Sequence, residues 1–255
     1  MSGRLEILKL WVDPVDLDQA LASVRQFVQN GRRPHSIFAV NPEKNYSVPQ
    51  DPDLWEIFRT ADLLIPDGIG VVLAARILYG VELNRVPGVR LMHGICALAA
   101  REGYRVYVYG AKEEVNEKAV NQLRDLYPGL NIVGRDNGYL KPEDMPELVK
   151  RINSSMAQIL FLALGSPKQE KWYARYGRGL ETVRVCQGIG GTLDTVAGNV
   201  KLAPETWQNL GLEWLYRLLK EPSRLRRQMV LPLFALQVMG KKAKSMIGLN
   251  RRADR

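Results

Sequence analysis

The chain has 255 residues, 46% hydrophobic and 25% charged, enough for one large or two small globular units with a substantial core. Two cysteines and two histidines are too few for a disulfide framework or a zinc site, which suits a reducing cytosol. The net charge of +9 sits at one end: residues 217–255 hold eleven Lys/Arg against two acids, leaving 25 of each sign in the other 216 residues.

The opening MSGRLEILKLWVD mixes charge into its apolar residues and reads without a secretory signal. Strands are predicted at 6–12 (EILKLWV), 36–40 (SIFAV), 62–66 (DLLIP), 105–110 (RVYVYG), 130–134 (LNIVG), 158–165 (QILFLALG) and 183–188 (VRVCQG). Amphipathic helical patterns lie between them, at 16–30, 113–127 and 142–155 among others, and LLIPDGIGVVLAARIL (63–78) runs from a strand directly into an apolar helix. This alternation predicts an α/β fold with a mostly parallel, Rossmann-like sheet flanked by helices. After about residue 204 the strand signals stop, and two helices follow, broken at Glu221-Pro222. The expected division is an α/β core over 1–203 and a basic, helical, membrane-associating C-terminal appendage over 204–255. Its most apolar stretch, MVLPLFALQVMG, is far shorter than the roughly 20 residues that span a bilayer.

Five strands end in turn or cap residues: AVNPEK, IPDGIG, VYGAKEE, LGSPKQE and QGIGGTLD. Ligands of open α/β sheets bind beyond the carboxyl ends of strands, so these loops are expected to frame one site. Asp67, between Pro66 and Gly68, has two readings. It caps the following helix, or, with glycines allowing close ligand approach, it is a general base at the strand's carboxyl end. Gly110, Gly190 and Gly191 lie in strand-to-helix turns that can hold a phosphate, although no full G-x-G-x-x-G is present. Lys168, Gln169 and Glu170 form a polar triplet after a strand, with Ser166 and Pro167 as the expected helix cap and first turn. Asp194 is either a helix-start acid or a ribose ligand. DPD (51–53) has the letters of a metal-binding D-x-D but reads as a capped helix start, so no metal site is expected. Arg217, Arg224 and Arg227 are a solvated basic face or a phosphate grip. With the apolar stripe and KKAKS that follow, the segment suits an anionic membrane surface. Nucleic acid is not expected, because the tail has few aromatics and no known nucleic-acid motif.

NPEK, LLIPDGIGVVLAARIL, NRVPG, YPGLNIVG, GSPKQEKW, GIGGTLDTVAGNVKLAP and GLEWLYRLLKEPSRLRR together resemble the WecG/TagA/CpsF glycosyltransferases (family 26), in order and spacing, from about residue 5 to 240. The resemblance implies an inverting transferase without metal or other cofactor. It would move a sugar from a UDP-sugar to a polyprenyl-diphosphate-linked sugar, in the cytoplasm and peripherally bound to the inner face of a bacterial membrane, in teichoic acid, capsule or exopolysaccharide synthesis. It further implies Asp67 as base and Asn41 in the same pocket. Arg85 and Gln169 would border the donor site, Asp194 with its glycine-rich segment would meet the nucleotide, and Arg217, Arg224 and Arg227 would reach the donor diphosphate. Where some members carry a threonine two residues before the asparagine, this chain has Ala39, so their N-acetylmannosamine preference is not carried over. A Rossmann-type nucleotide-dependent oxidoreductase and a non-enzymatic basic adaptor are the rival readings. The apolar faces of the appendage suit a second copy of the chain as readily as lipid, so a homo-oligomer is a further expected partner.

Overall fold

A computed structural model describes residues 3–204, 206–207, 211–220 and 225–253. The first predicted strand is two strands: β1 (Leu5–Ile7) and β2 (Leu10–Val12) pair antiparallel, with Ile7 opposite Leu10 and Leu8 at φ 58° in the turn. Only Lys9 interrupts the apolar residues from Ile7 to Val12, and Leu8-Lys9 lacks the Asn-Gly or Gly-X chemistry that marks a two-residue turn.

There follow α1 (Leu17–Asn30), β3 (His35–Val40), α2 (Pro42–Ser47), α3 (Pro52–Thr60), β4 (Leu63–Pro66), α4 (Ile69–Tyr79), α5 (Gly88–Glu102) and β5 (Arg105–Gly110). Then come α6 (Glu113–Leu126), β6 (Asn131–Asp136), α7 (Met145–Ser154), β7 (Ile159–Ala163), α8 (Lys168–Tyr176), β8 (Val185–Gly188) and α9 (Thr192–Val196). Local chemistry explains many of the starts. Asp16 closes a capping box with Gln19 at α1, and Asp51 accepts from Leu54 N–H at α3, where Pro52 fills a first-turn position whose N–H would go unused.

β3 to β8 form one parallel sheet in the order β4-β3-β8-β7-β5-β6, as the alternating pattern predicts. Every residue of β7 and β8 is buried, because helices cover both faces, and this accounts for the unbroken apolar run of β7. On one face, Ile37, Ile65, Val108 and Phe161 pack with Val24, Leu91, Ile95 and Leu123 from the covering helices. On the other, Phe38, Val40 and Leu64 pack with Leu10, Phe58 and Val71, while Tyr107, Leu160 and Leu162 pack with Leu148 and Trp172. From β3 the chain steps outward to β4, and β5 then lies on the far side of β8 and β7. That reversal opens a crevice over the central strand ends.

Beyond the sheet lie α10 (Glu213–Lys220), α11 (Leu225–Gln228) and α12 (Val230–Ala253). The predicted break at Glu221-Pro222 lies outside the described residues, just after α10 ends. α12 packs on α4 and α2, and its Phe234 and Val238 are buried in the same core as Phe38 and Phe58. Its Leu233, Leu236 and Met239 are exposed, as are Leu73 and Ile77 of α4. Among the described residues, no helix is long and apolar enough to cross a membrane.

Candidate active site

A cleft of about 950 Å³ lies over the carboxyl ends of β4, β3, β8 and β7. Asn41, Asp67, Arg85, Gln169, Gly190, Gly191 and Asp194 all line it. The VYGAKEE turn is the one of the five loops that contributes nothing to this lining, because β5 stands two strands away from β8. Gly110 is therefore not brought to the cleft with the other predicted residues. A Cβ there would meet the Ala163 carbonyl at 2.4 Å, so close packing of neighbouring strand ends explains the glycine.

Asp67 follows β4, its N–H donating to the Val40 carbonyl at 3.1 Å. Its side chain does not cap α4, whose N-cap is Gly68 without a side-chain bond. Instead Oδ1 accepts the Gly88 N–H at 3.0 Å, at the first residue of α5. A helix N-terminus favours negative charge, so the carboxylate is held where its ionised form is supported. Gly68 and Gly70 line the cleft and also serve packing. A Cβ on either would fall 2.9 or 2.7 Å from the Pro42 ring, so they let the β3–α2 and β4–α4 turns close on one another. Asn41 caps α2, its Oδ1 accepting Lys44 N–H at 3.0 Å.

Gln169 is 4% exposed and spans two turns. Its Oε1 accepts the Gly190 N–H at 2.9 Å and its Nε2 lies 3.4 Å from Glu170 Oε1, while Gly188 leaves room for the amide. That N–H of the glycine loop is thereby used within the protein. Ser166 and Pro167 meet in a cis peptide bond and α8 begins at Lys168, so Pro167 is the N-cap rather than a first-turn residue. Glu170, the last of the polar triplet after β7, points inward and is wholly buried. It pairs with Lys44, whose Nζ also sits 4.8 Å from the centre of the Phe58 ring. Lys44 is a cleft residue that the sequence reading passed over; its only signal was its place in NPEK.

Asp51 also reaches the cleft, as the cap of α3 that DPD suggested. Its carboxyl is held below the ordinary carboxylate range, first by the Lys171 ammonium at 2.5 Å and then by the Leu54 N–H. Among the described residues, no three His, Cys, Asp or Glu side chains gather as metal ligands do.

The C-terminal segment supplies one wall of the cleft, through Gly211, Glu213, Trp214, Gln228, Val230 and Leu231. Glu213, unremarked in the sequence, binds Arg85 at 2.6 Å, and Arg85 Nε donates to the Asp67 carbonyl at 2.8 Å. Arg217 and Arg227 lie on α10 and α11, with side chains outside those described, and Arg224 lies outside the described residues. The charged groups described in the lining are Glu43, Asp51, Asp67, Asp194 and Glu213 against Lys44 and Arg85, and both cations are already ion-paired. The model of the glycosyl transferase WecG/TagA/CpsF family matches residues 5–247, including both the strand-end loops and the C-terminal wall of this cleft. With that match over nearly its whole length, the protein belongs to the WecG/TagA/CpsF family of glycosyltransferases.

Proposed function

We propose that this protein is an inverting, metal-independent glycosyltransferase that moves a sugar from a UDP-sugar onto a polyprenyl-diphosphate-linked sugar, in synthesis of a bacterial surface polysaccharide. The observation that carries the reading is Asp67: a carboxylate on the cleft wall, at a strand's carboxyl end, seated on the N-terminus of α5. In the proposed step, ionised Asp67 takes the proton of the acceptor hydroxyl as its oxygen attacks C1 of the donor sugar. The bond from C1 to the diphosphate oxygen breaks, configuration inverts, and UDP leaves with the electron pair. Asn41 borders the reacting groups, and Asp194 with Gly191 borders the nucleoside.

The charge balance of the described cleft supports a role for the C-terminal arginines. Its acids outnumber Lys44 and Arg85, both committed to ion pairs, so a leaving diphosphate needs further cations. Arg217, Arg224 and Arg227 supply them in this reading, since a guanidinium pairs two phosphate oxygens and keeps its charge. The outward Leu233, Leu236 and Met239 of α12, followed by Lys241, Lys242 and Lys244, support peripheral binding at an anionic membrane surface, where the lipid-linked acceptor resides.

The test is UDP release from a panel of UDP-sugars in EDTA, with and without a short-chain prenyl-diphosphate N-acetylglucosamine acceptor. Acceptor-dependent release from one donor is expected. Release from none, together with thermal protection by NAD but not UDP, overturns the reading in favour of an oxidoreductase.

A further inference from the structure

β8 carries a polar side chain where its neighbours in the sheet carry core residues. Gln187 is in register with Ile37 on β3 and Phe161 on β7, both part of the apolar layer beneath α5, and is itself 1% exposed. An amide in such a layer is costly unless its groups are bonded, and the Gln187 Oε1 is buried without a hydrogen-bond partner among the described residues. The Nε2 makes one bond, to the Gly88 carbonyl at 3.0 Å. The N–H of that same Gly88 donates to Asp67 Oδ1.

We infer that Gln187 is a positioning residue for the transfer reaction, fixing the first residue of α5 so that its N–H is aimed at the Asp67 carboxylate. This rests on the reading of Asp67 as the base. Gly88 follows Pro87 at the end of a connection from α4, residues 80–87, that contains no helix or strand, so its placement depends on anchors to the sheet. Among the described residues, Val86 N–H bonds the Pro66 carbonyl at 2.8 Å, beside the Arg85 bond to the Asp67 carbonyl, and Gln187 bonds Gly88. The first two fix the connection beside β4, and the third fixes the turn of α5 over β8. A leucine or methionine at 187 would fill the same space in the layer without an orphaned oxygen, so packing alone does not account for an amide. Tying the α5 N-terminus to the sheet beneath the cleft does.

The experiment compares Gln187→Met, Gly88→Pro, Asp67→Asn and the Gln187→Met/Asp67→Asn double variant in acceptor-dependent UDP release across pH. Gly88→Pro removes the N–H directly at a first-turn helix position, and Pro87 already has the extended ψ of 133° that a following proline requires. Misplacing the base is expected to lower kcat by about 10- to 100-fold in Gln187→Met, with the donor KM little changed. The acid limb of the rate profile is expected to move to higher pH by about half a unit or more, because a donor to the charged carboxylate is lost. Gly88→Pro is expected to do the same, and it carries the test if Gln187→Met does not fold. In the Asp67→Asn background, Gln187→Met is expected to add little, since both act on one group. Wild-type kcat and pH profile in folded Gln187→Met, with Asp67→Asn inactive, overturn the positioning role and leave the base intact. Full activity in Asp67→Asn overturns the base itself.

Discussion

Arg85 and Glu213 are 128 positions apart and meet at 2.6 Å, with side chains 21% and 11% exposed. Arg85 also holds the Asp67 carbonyl, so this pair joins the loop of the proposed base to the C-terminal wall. A double-mutant cycle of Arg85→Met and Glu213→Gln, followed by urea unfolding, is expected to give a coupling of about 1–3 kcal/mol. Limited proteolysis near residues 204–225 is expected to accelerate in Glu213→Gln. A coupling near zero would mean that the wall is held by its apolar contacts alone.

Asp67→Asn retains an acceptor oxygen for Gly88 N–H while removing the base. Turnover is expected to fall by roughly 10²–10⁴, and a thermal melt is expected to stay close to the wild type.

The Lys44–Glu170 pair ties the α2 helix of Asn41 to the α8 helix of Gln169, across 126 positions. Because Glu170 is wholly buried, Glu170→Gln strands an uncompensated ammonium beside Phe58 and is expected to cost about 3–5 kcal/mol in urea unfolding. The double replacement Lys44→Met/Glu170→Leu is expected to recover much of that loss, since an apolar pair needs no desolvation of charge.

Burial pushes the Cys96 thiol up to about 12 and the Cys186 thiol higher still. Both folded values exceed the unfolded one of about 8.5, so their contribution to stability is complete below that pH and is lost as pH rises above it. Tyr107, Tyr109 and Tyr173 are also raised, chiefly by burial, and extend the loss above about pH 10. Urea midpoints are expected to be flat from pH 7 to 8 and to fall from pH 9 to 10.5. A thiol reagent at pH 8 is expected to label neither cysteine until the chain unfolds.

Deleting residues 204–255 would expose the pocket that Phe234 and Val238 fill, so charge reversal tests membrane binding more cleanly. Lys241→Glu, Lys242→Glu and Lys244→Glu together remove attraction worth about 1 kcal/mol per lysine at an anionic surface. Binding to phosphatidylglycerol vesicles is expected to weaken by about 100-fold or more, and binding to neutral vesicles to stay low in both proteins. Equal binding to both lipids would remove the electrostatic part of the proposal.

Much of this was written locally. The alternation of apolar strands with amphipathic helices predicts the parallel α/β sheet, and Asp51 announces the helix it caps. Strand-end loops carrying Asn41, Asp67, Gln169 and Asp194 point to one site, and those residues do share one cleft. The hairpin at Leu8-Lys9 was not legible, because neither residue is one that marks a two-residue turn. The roles of Gly68 and Gly70 were not legible either, since room for Pro42 and room for a ligand both call for glycine.

By itself the sequence determined which faces are apolar, where some of the helices begin, and the motifs that place the chain in its glycosyltransferase family. Only the tertiary structure decided strand order, which carries Gly110 away from the cleft. It also decided which polar groups meet: Lys44 with Glu170, Arg85 with Glu213, and Gln187 with Gly88. Periodicity reports which face of an element a residue occupies, and that is a short-range property of the backbone. A partner about a hundred residues distant is chosen by how the layers stack, and no local pattern carries that choice.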